Sequence, residues 1–413
     1  MTNKIIKPGI TRRKFLEGTT VGAVSLAVGN FGISSLAHAA GTVKIGLIHP
    51  VTGFLAFAGA QLRYGSIMAI NDINAAGGVQ SMGGMQLEAL LGDSQAKPQI
   101  GAAEVEKMYE AGVHAFSGCY QSAVGIAASA AAAKYNIPFS IDVGVSDKLV
   151  TRGLENVFRM MDGYGNIAID AVNNLGAINK ASGSPAKSVV IVHEESEFGT
   201  GTANLMAKYL PEQGFEVADI IKHANPTRNF DNVALRIKSL KPDVVMPINY
   251  PGEYVLLART LRQQRIEMAA SYSVLGGGFN FKFIEEMPEI SEHMIDVNHW
   301  YDPRSAEAED LRRRVEADGK YFTMEVYTAY NSIRLLHDAF ERAQSTAPDA
   351  VNAALASSTM DPLIMPYGPT KMVNGQNTGA RAVAIQVQNG DVEIISPAEV
   401  ASATAVFPRP SMS

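Results

Sequence analysis

The chain has 413 residues, 46% of them hydrophobic and 18% charged, and a formal net charge of -6 from 35 Lys and Arg against 41 Asp and Glu. That composition belongs to a well-buried globular protein and excludes a disordered one, and its scattered basic residues leave no electrostatic footprint for nucleic acid or an anionic membrane. Cys119 is the single cysteine, which rules out an intramolecular disulfide, and the eight histidines show no H-x-H, H-E-x-x-H or cysteine pairing, so neither metal nor cofactor is expected.

The first residues read as an export signal. Thr11-Arg12-Arg13-Lys14-Phe15-Leu16-Glu17 precedes an uncharged small and apolar run from Gly18 to Leu36, followed by Ala37-His38-Ala39 before Ala40. The run is too short and wrongly flanked for a permanent span, so residues 1–39 are expected to be cleaved and the mature chain to work in the periplasm without membrane insertion. The adjacent arginines followed by Phe-Leu resemble a twin-arginine signal, a route for folded proteins that keeps a tightly held cofactor or fast folding in view. The mature chain is long enough for two lobes of roughly 150 to 200 residues each.

From Val43 onward, short β-branched runs alternate with helical stretches, which predicts parallel sheets covered by crossover helices. The first strand covers Val43 to Ile48. A loop from Pro50 to Gly59 leads into a helix with Leu62, Ala69, Ile70 and Ile73 on one face, stopped by Gly77-Gly78. Strands at 87–91, 113–117 and 138–141 come next, separated by helices that include an Ala-rich one from Ser122 to Lys134. After Phe158-Arg159 the grammar repeats: a helix near 167–175, then strands at 189–193, 216–221, 244–248 and 270–274. Beyond Met294-Ile295-Asp296-Val297, a long helix from Thr323 to Arg342 turns Val326, Ala329, Tyr330, Ile333, Leu336 and Phe340 inward and returns to the first lobe. The strand Ala382 to Val387 and the turn Gln388-Asn389-Gly390-Asp391 form a hairpin that finishes the second lobe. No repeat of 20 to 50 residues is visible, which disfavours a solenoid or propeller.

Enzyme motifs do not assemble. Gly46, Gly53 and Gly59 miss the G-x-G-x-x-G spacing of a dinucleotide site, and Asn204 stands where Gly199-Thr200-Gly201 needs its third glycine. Gly118-Cys119-Tyr120-Gln121-Ser122 places its serine two positions late for a nucleophile elbow. The cluster Glu194, Glu195 and Glu197 reads as a solvated turn without chemistry.

Binding is better supported, because ligands of open α/β sheets sit at the carboxyl ends of the strands. Tyr120 and Gln121 lead to Ser122, which opens the Ala-rich helix and can offer a hydroxyl and first-turn amides to an anion, a preference of roughly 0.3 to 2 kcal/mol. Simple capping of that helix by Ser122 is the competing reading. Val143-Gly144-Val145-Ser146 follows the next strand, where Gly144 lets a ligand approach the backbone or forms a plain turn. Phe198 and Tyr250 end strands of the second series and bring aromatic surface toward the first lobe.

Val43-Lys44-Ile45-Gly46, Pro50-Val51-Thr52-Gly53 and the stretch from Ala69 to Val79 resemble the opening of periplasmic leucine/isoleucine/valine-binding proteins, the solute receptors of ABC importers. Gly92-Asp93-Ser94-Gln95, Asn156-Val157-Phe158-Arg159, Ser196-Glu197-Phe198-Gly199-Thr200-Gly201 and the stretch from Ala329 to Leu336 resemble later blocks in the same order. The resemblance implies a type I binding-protein fold: two Rossmann-like lobes with parallel sheets, joined by three crossovers, 42–161 with 299–362 and 162–298 with 363–413. It also implies a receptor that catalyses nothing and docks on ABC permease subunits. By that resemblance Ser122 holds the ligand carboxylate, Gly144 and Val145 lie beside it without the usual threonine hydroxyl, and Phe198 and Tyr250 cover it. Ala58 replaces a first-lobe aromatic, for which Phe54 or Phe57 could compensate. Leu275 stands near the acid that pairs with a ligand ammonium, and an unpaired buried ammonium costs several kcal/mol. A small carboxylate without an amine, aromatic or branched, therefore fits as well as an amino acid, unless Asp142 or Asp162 supplies the charge. A periplasmic oxidoreductase exported folded and a ligand-sensing subunit of the same fold remain the alternatives.

Overall fold

The computed structural model describes residues 41–411, and the export signal read at residues 1–39 lies outside them. In chain order the elements are β1 (Thr42–His49), α1 (Ala56–Ala75), β2 (Gln86–Asp93), α2 (Pro98–Glu110), β3 (Ala115–Gly118), α3 (Ser122–Ala133), β4 (Phe139–Ile141) and β5 (Val157–Arg159). Next come α4 (Tyr164–Ala181), β6 (Ser188–Glu194), α5 (Glu197–Tyr209), β7 (Glu216–His223), α6 (Asp231–Leu240), β8 (Val244–Ile248), α7 (Pro251–Gln263) and β9 (Ala270–Val274). The chain ends with α8 (Phe281–Glu286), α9 (Pro288–Ser291), β10 (Ile295–Asn298), α10 (Ala306–Ala317), α11 (Met324–Ala343), α12 (Pro348–Ala356), β11 (Met372–Val373), β12 (Gln376–Asn377), β13 (Val383–Gln388) and β14 (Asp391–Ser396).

These strands form two seven-stranded sheets, β11-β12-β5-β4-β3-β1-β2 and β14-β13-β10-β9-β8-β6-β7. In both, five parallel strands adopt the doubly wound order in which the chain reverses its direction of travel between the first and third strands. Antiparallel β11-β12 and β13-β14 hairpins extend one edge of each. Strand β8 (Val-Val-Met-Pro-Ile) is buried along its whole length because helices cover both faces, which is why it reads as an unbroken apolar run and not as alternation. On the first sheet the covering pair is α1 and α11, whose backbones approach so closely that a Cβ on Gly65 would lie 2.1 Å from the Val326 carbonyl oxygen. Val326, Ala329, Ile333, Leu336 and Phe340 of α11 are all fully buried against that layer.

The chain passes between the sheets after β5, after β10, and between Asn377 and Val383. The third passage corrects only the start of the segment 363–413 expected in the second lobe: the β11-β12 hairpin joins the first sheet through Gln376 beside Arg159, while β13 and β14 lie in the second sheet. Side chains hold it there: Arg159 Nε donates to Gln376 Oε1 at 2.7 Å, and Asn377 Nδ2 donates to the Met160 carbonyl at 3.0 Å. Asn374 and Gly375 make the hairpin turn with φ of 49° and 77°, an Asn-Gly turn signal present in the sequence.

Candidate ligand site between the lobes

The first lobe contributes the loops after β3 and β4. Ser122 is the first residue of α3, and its helix is not capped by any side chain. Its Oγ instead accepts the Ser146 N–H at 3.1 Å, which ties the two loops together and leaves the hydroxyl proton free to donate. Simple capping is thereby set aside. Arg159, 1% exposed, clamps the second loop from behind, donating to the Ser146 carbonyl at 2.8 Å and to Asp147 Oδ1 at 3.1 Å.

From the second lobe come the loops after β6, β8, β9 and β10. Glu194, fully buried, accepts bonds from Ser196 N, Ser196 Oγ, Gly199 N and Asn225 Nδ2 at 2.6 to 3.1 Å and so fixes the turn that presents Phe198. Glu197 crosses the cleft: it accepts from Ser146 Oγ at 2.9 Å and pairs with Lys148 Nζ at 2.9 Å. Burial raises the Glu197 carboxyl, but the hydrogen bonds from Lys148 and Ser146 prevail and hold it below its ordinary value. The acidic cluster is thus not a solvated turn; two of its members organise the cleft. Tyr250 precedes α7, and its ring meets Phe198, Tyr120 and Phe54 at centroid distances of 5.3, 5.8 and 6.4 Å.

Tyr120, Ser122, Val143, Val145, Phe198, Asn249, Tyr250, Leu275, Gly277, Asn298, His299 and Met324 surround one cavity with about 30 Å³ open to the centre of a water molecule. All are buried. That space holds roughly two or three waters, so a solute enters only with the lobes apart. Six of the residues singled out from sequence meet here: Tyr120, Ser122, Val145, Phe198, Tyr250 and Leu275. Gln121 is buried beside the Tyr250 hydroxyl, outside the wall. Gly144 turns toward Leu149, and its N–H donates to the Cys119 carbonyl. Phe57 sits in the first turn of α1, 37% exposed, while Phe54 takes the place against Tyr250.

Sequence reasoning missed Asn249, Gly277, Asn298, His299 and Met324, although the strand-end rule that marked Tyr250 also covers Asn249 and Asn298. Among the described residues no Asp or Glu stands in the wall. Asp142 is occupied by His49 at 2.9 Å, and Asp162 lies in a separate groove beside Arg159 and Gln376 whose rim is exposed at Thr151, Glu155 and Val373. Glu325 is buried behind Tyr120, where burial pushes its carboxyl up toward the neutral form.

Comparison with known proteins agrees with this fold. A Leu/Ile/Val-binding protein homolog 8 of Brucella abortus (strain 2308) is 26% identical over 384 residues, covering 89% of this chain and 93% of the relative. A Rhodopseudomonas palustris (R. palustris) solute binding protein solved with benzoate superposes with a TM-score of 0.74 at 20% identity, covering 89% of this chain and 98% of that one. The branched-chain amino acid transporter substrate binding protein of Streptococcus pneumoniae, solved with isoleucine, gives 0.73 at 21% identity over 89% of this chain and 100% of that one. Residues 42–391 match the family described as periplasmic binding protein. On that match, over a fold of two doubly wound lobes closing on one buried cavity, the chain belongs to the periplasmic binding protein family.

Proposed function

We propose that this protein is the periplasmic solute receptor of an ABC importer, which captures a small carboxylate lacking an amine by hinge closure and delivers it unchanged to permease subunits. The cavity wall carries the reading: a free serine hydroxyl at a helix start, aromatic and aliphatic surface around it, and Leu275 in place of a carboxylate. An ammonium buried there without a counter-charge would cost several kcal/mol, whereas a carboxylate is served by Ser122 and the α3 amides. The Rhodopseudomonas palustris relative with benzoate supports an amine-free acid.

Closure is a consequence of the same contacts. The open state exposes Ser122 to solute, and the closed state adds Phe198 and Tyr250 over it, so the ligand selects the closed form by contacts made only there. The Glu197 bridge to Ser146 and Lys148 adds a bond across the cleft. A branched-chain amino acid is the second reading, favoured by the likeness to the Leu/Ile/Val-binding protein homolog 8 of Brucella abortus. A thermal-shift screen with aromatic acids, branched acids, keto acids and the matching amino acids tests the proposal, since a ligand of the folded state raises Tm with concentration. Stabilisation by at least one amine-free acid that is recovered intact is expected; stabilisation by amino acids alone, or conversion of the acid, overturns it.

A further inference from the structure

The cavity carries a second polar pole. His299 is fully buried in the wall, and neither ring nitrogen has a hydrogen-bond partner among the described residues. Its backbone is pinned on both sides, the N–H donating to Asn298 Oδ1 at 2.8 Å and the carbonyl accepting from Tyr327 Oη at 2.9 Å. The same wall holds Asn249, also fully buried, whose Oδ1 has no partner among the described residues. Its amide orientation is set by a chain of bonds: His223 Nδ1 meets the Ala224 carbonyl at 2.8 Å and so carries the proton, which leaves His223 Nε2 to accept from Asn249 Nδ2. The Asn249 oxygen therefore remains an acceptor for something else. Buried polar atoms without partners are costly, and a cavity wall that keeps them is shaped for a ligand group that satisfies them.

Resting on the carboxylate reading, we infer that the solute carries a hydroxyl at the end away from its carboxylate, held by His299 and Asn249 while Ser122 holds the acid. A hydroxyl accepts from the imidazole N–H and donates to Asn249 Oδ1; a carbonyl only accepts and would leave the amide oxygen unpaired. An ammonium needs a carboxylate, which the wall lacks. Burial drives the His299 ring down to about 3, so it stays neutral and offers one donor and one acceptor throughout the working range. Hydroxylated aromatic acids are the simplest molecules with both poles on a rigid frame.

Calorimetric titration of the purified protein with benzoate and with 4-hydroxybenzoate tests this, because the two acids differ only in that hydroxyl. A site built to bond a hydroxyl rejects the analogue lacking it, by up to roughly 10⁴-fold, so at least about a tenfold preference for 4-hydroxybenzoate is expected. In His299→Leu the ratio of the two dissociation constants should fall toward one, and His299→Gln, which keeps a donor and an acceptor, should retain part of it. Equal binding of the two acids by the unaltered protein, or tighter binding of benzoate, overturns the inference and leaves the carboxylate reading standing. Binding of L-isoleucine but of neither acid overturns both, as does binding of none of the three.

Discussion

Replacing Ser122 by alanine separates the ligand contact from the structural one. In the free protein Ser122 Oγ accepts the buried Ser146 N–H at 3.1 Å, and in the complex its proton is expected to go to the ligand carboxylate. Loss of the acceptor strands a buried amide, at about 1–3 kcal/mol of folding stability, which amounts to a fall of only a few degrees in Tm for a chain of this size. That cost is present with and without ligand, so it cancels from the dissociation constant. What remains in binding is a hydrogen bond to a charged group, about 1.5–3 kcal/mol, or roughly 10- to 150-fold in Kd. Calorimetry with the best acid from the thermal-shift screen reads this directly. A Tm drop with unchanged affinity would refute the assignment of Ser122 to the carboxylate.

Neighbouring contacts give three further outcomes. Leu275→Glu places an acid in the wall and should weaken binding of the amine-free acid while raising the affinity for L-leucine, measured by the same titration. Glu197→Gln removes the charge facing Lys148, so the unliganded protein should expand in small-angle scattering; because the Glu197 pKa is depressed, the unaltered protein should keep its compact form above the ordinary carboxylate range and lose it as pH falls through that depressed value. Glu253 is 3% exposed, and its carboxyl is raised from 4.5 to about 7 by burial and by Glu194. Between those values the folded state retains a proton that the unfolded chain has released, so stability falls as pH rises through the window by at most roughly 3 kcal/mol, and Glu253→Gln should flatten the Tm profile there.

The alternation of strands and helices was legible because fully buried parallel strands are apolar throughout and their covering helices carry one apolar face, as β8 and α11 both do. Loops at strand ends could likewise be found from β3, β4, β6 and β8 without coordinates. Two features were less accessible. The β11-β12 hairpin is two residues per strand, too short for periodicity, and only Asn374-Gly375 marked it. His299 stands in a passage between lobes, where its anchor Tyr327 is 28 residues away in the chain and its unpaired nitrogens leave no trace in the sequence. Glu194 and Glu197 show the converse case: three acids in one loop look solvated until burial and the facing lobe are known.

Titration of the protein with L-leucine and with 4-methylpentanoate, the same side chain without the amine, probes the central claim most directly. The cavity wall predicts binding of 4-methylpentanoate with L-leucine weaker by on the order of 100-fold, the effect of burying an ammonium that nothing pairs. Tighter binding of L-leucine would contradict the account.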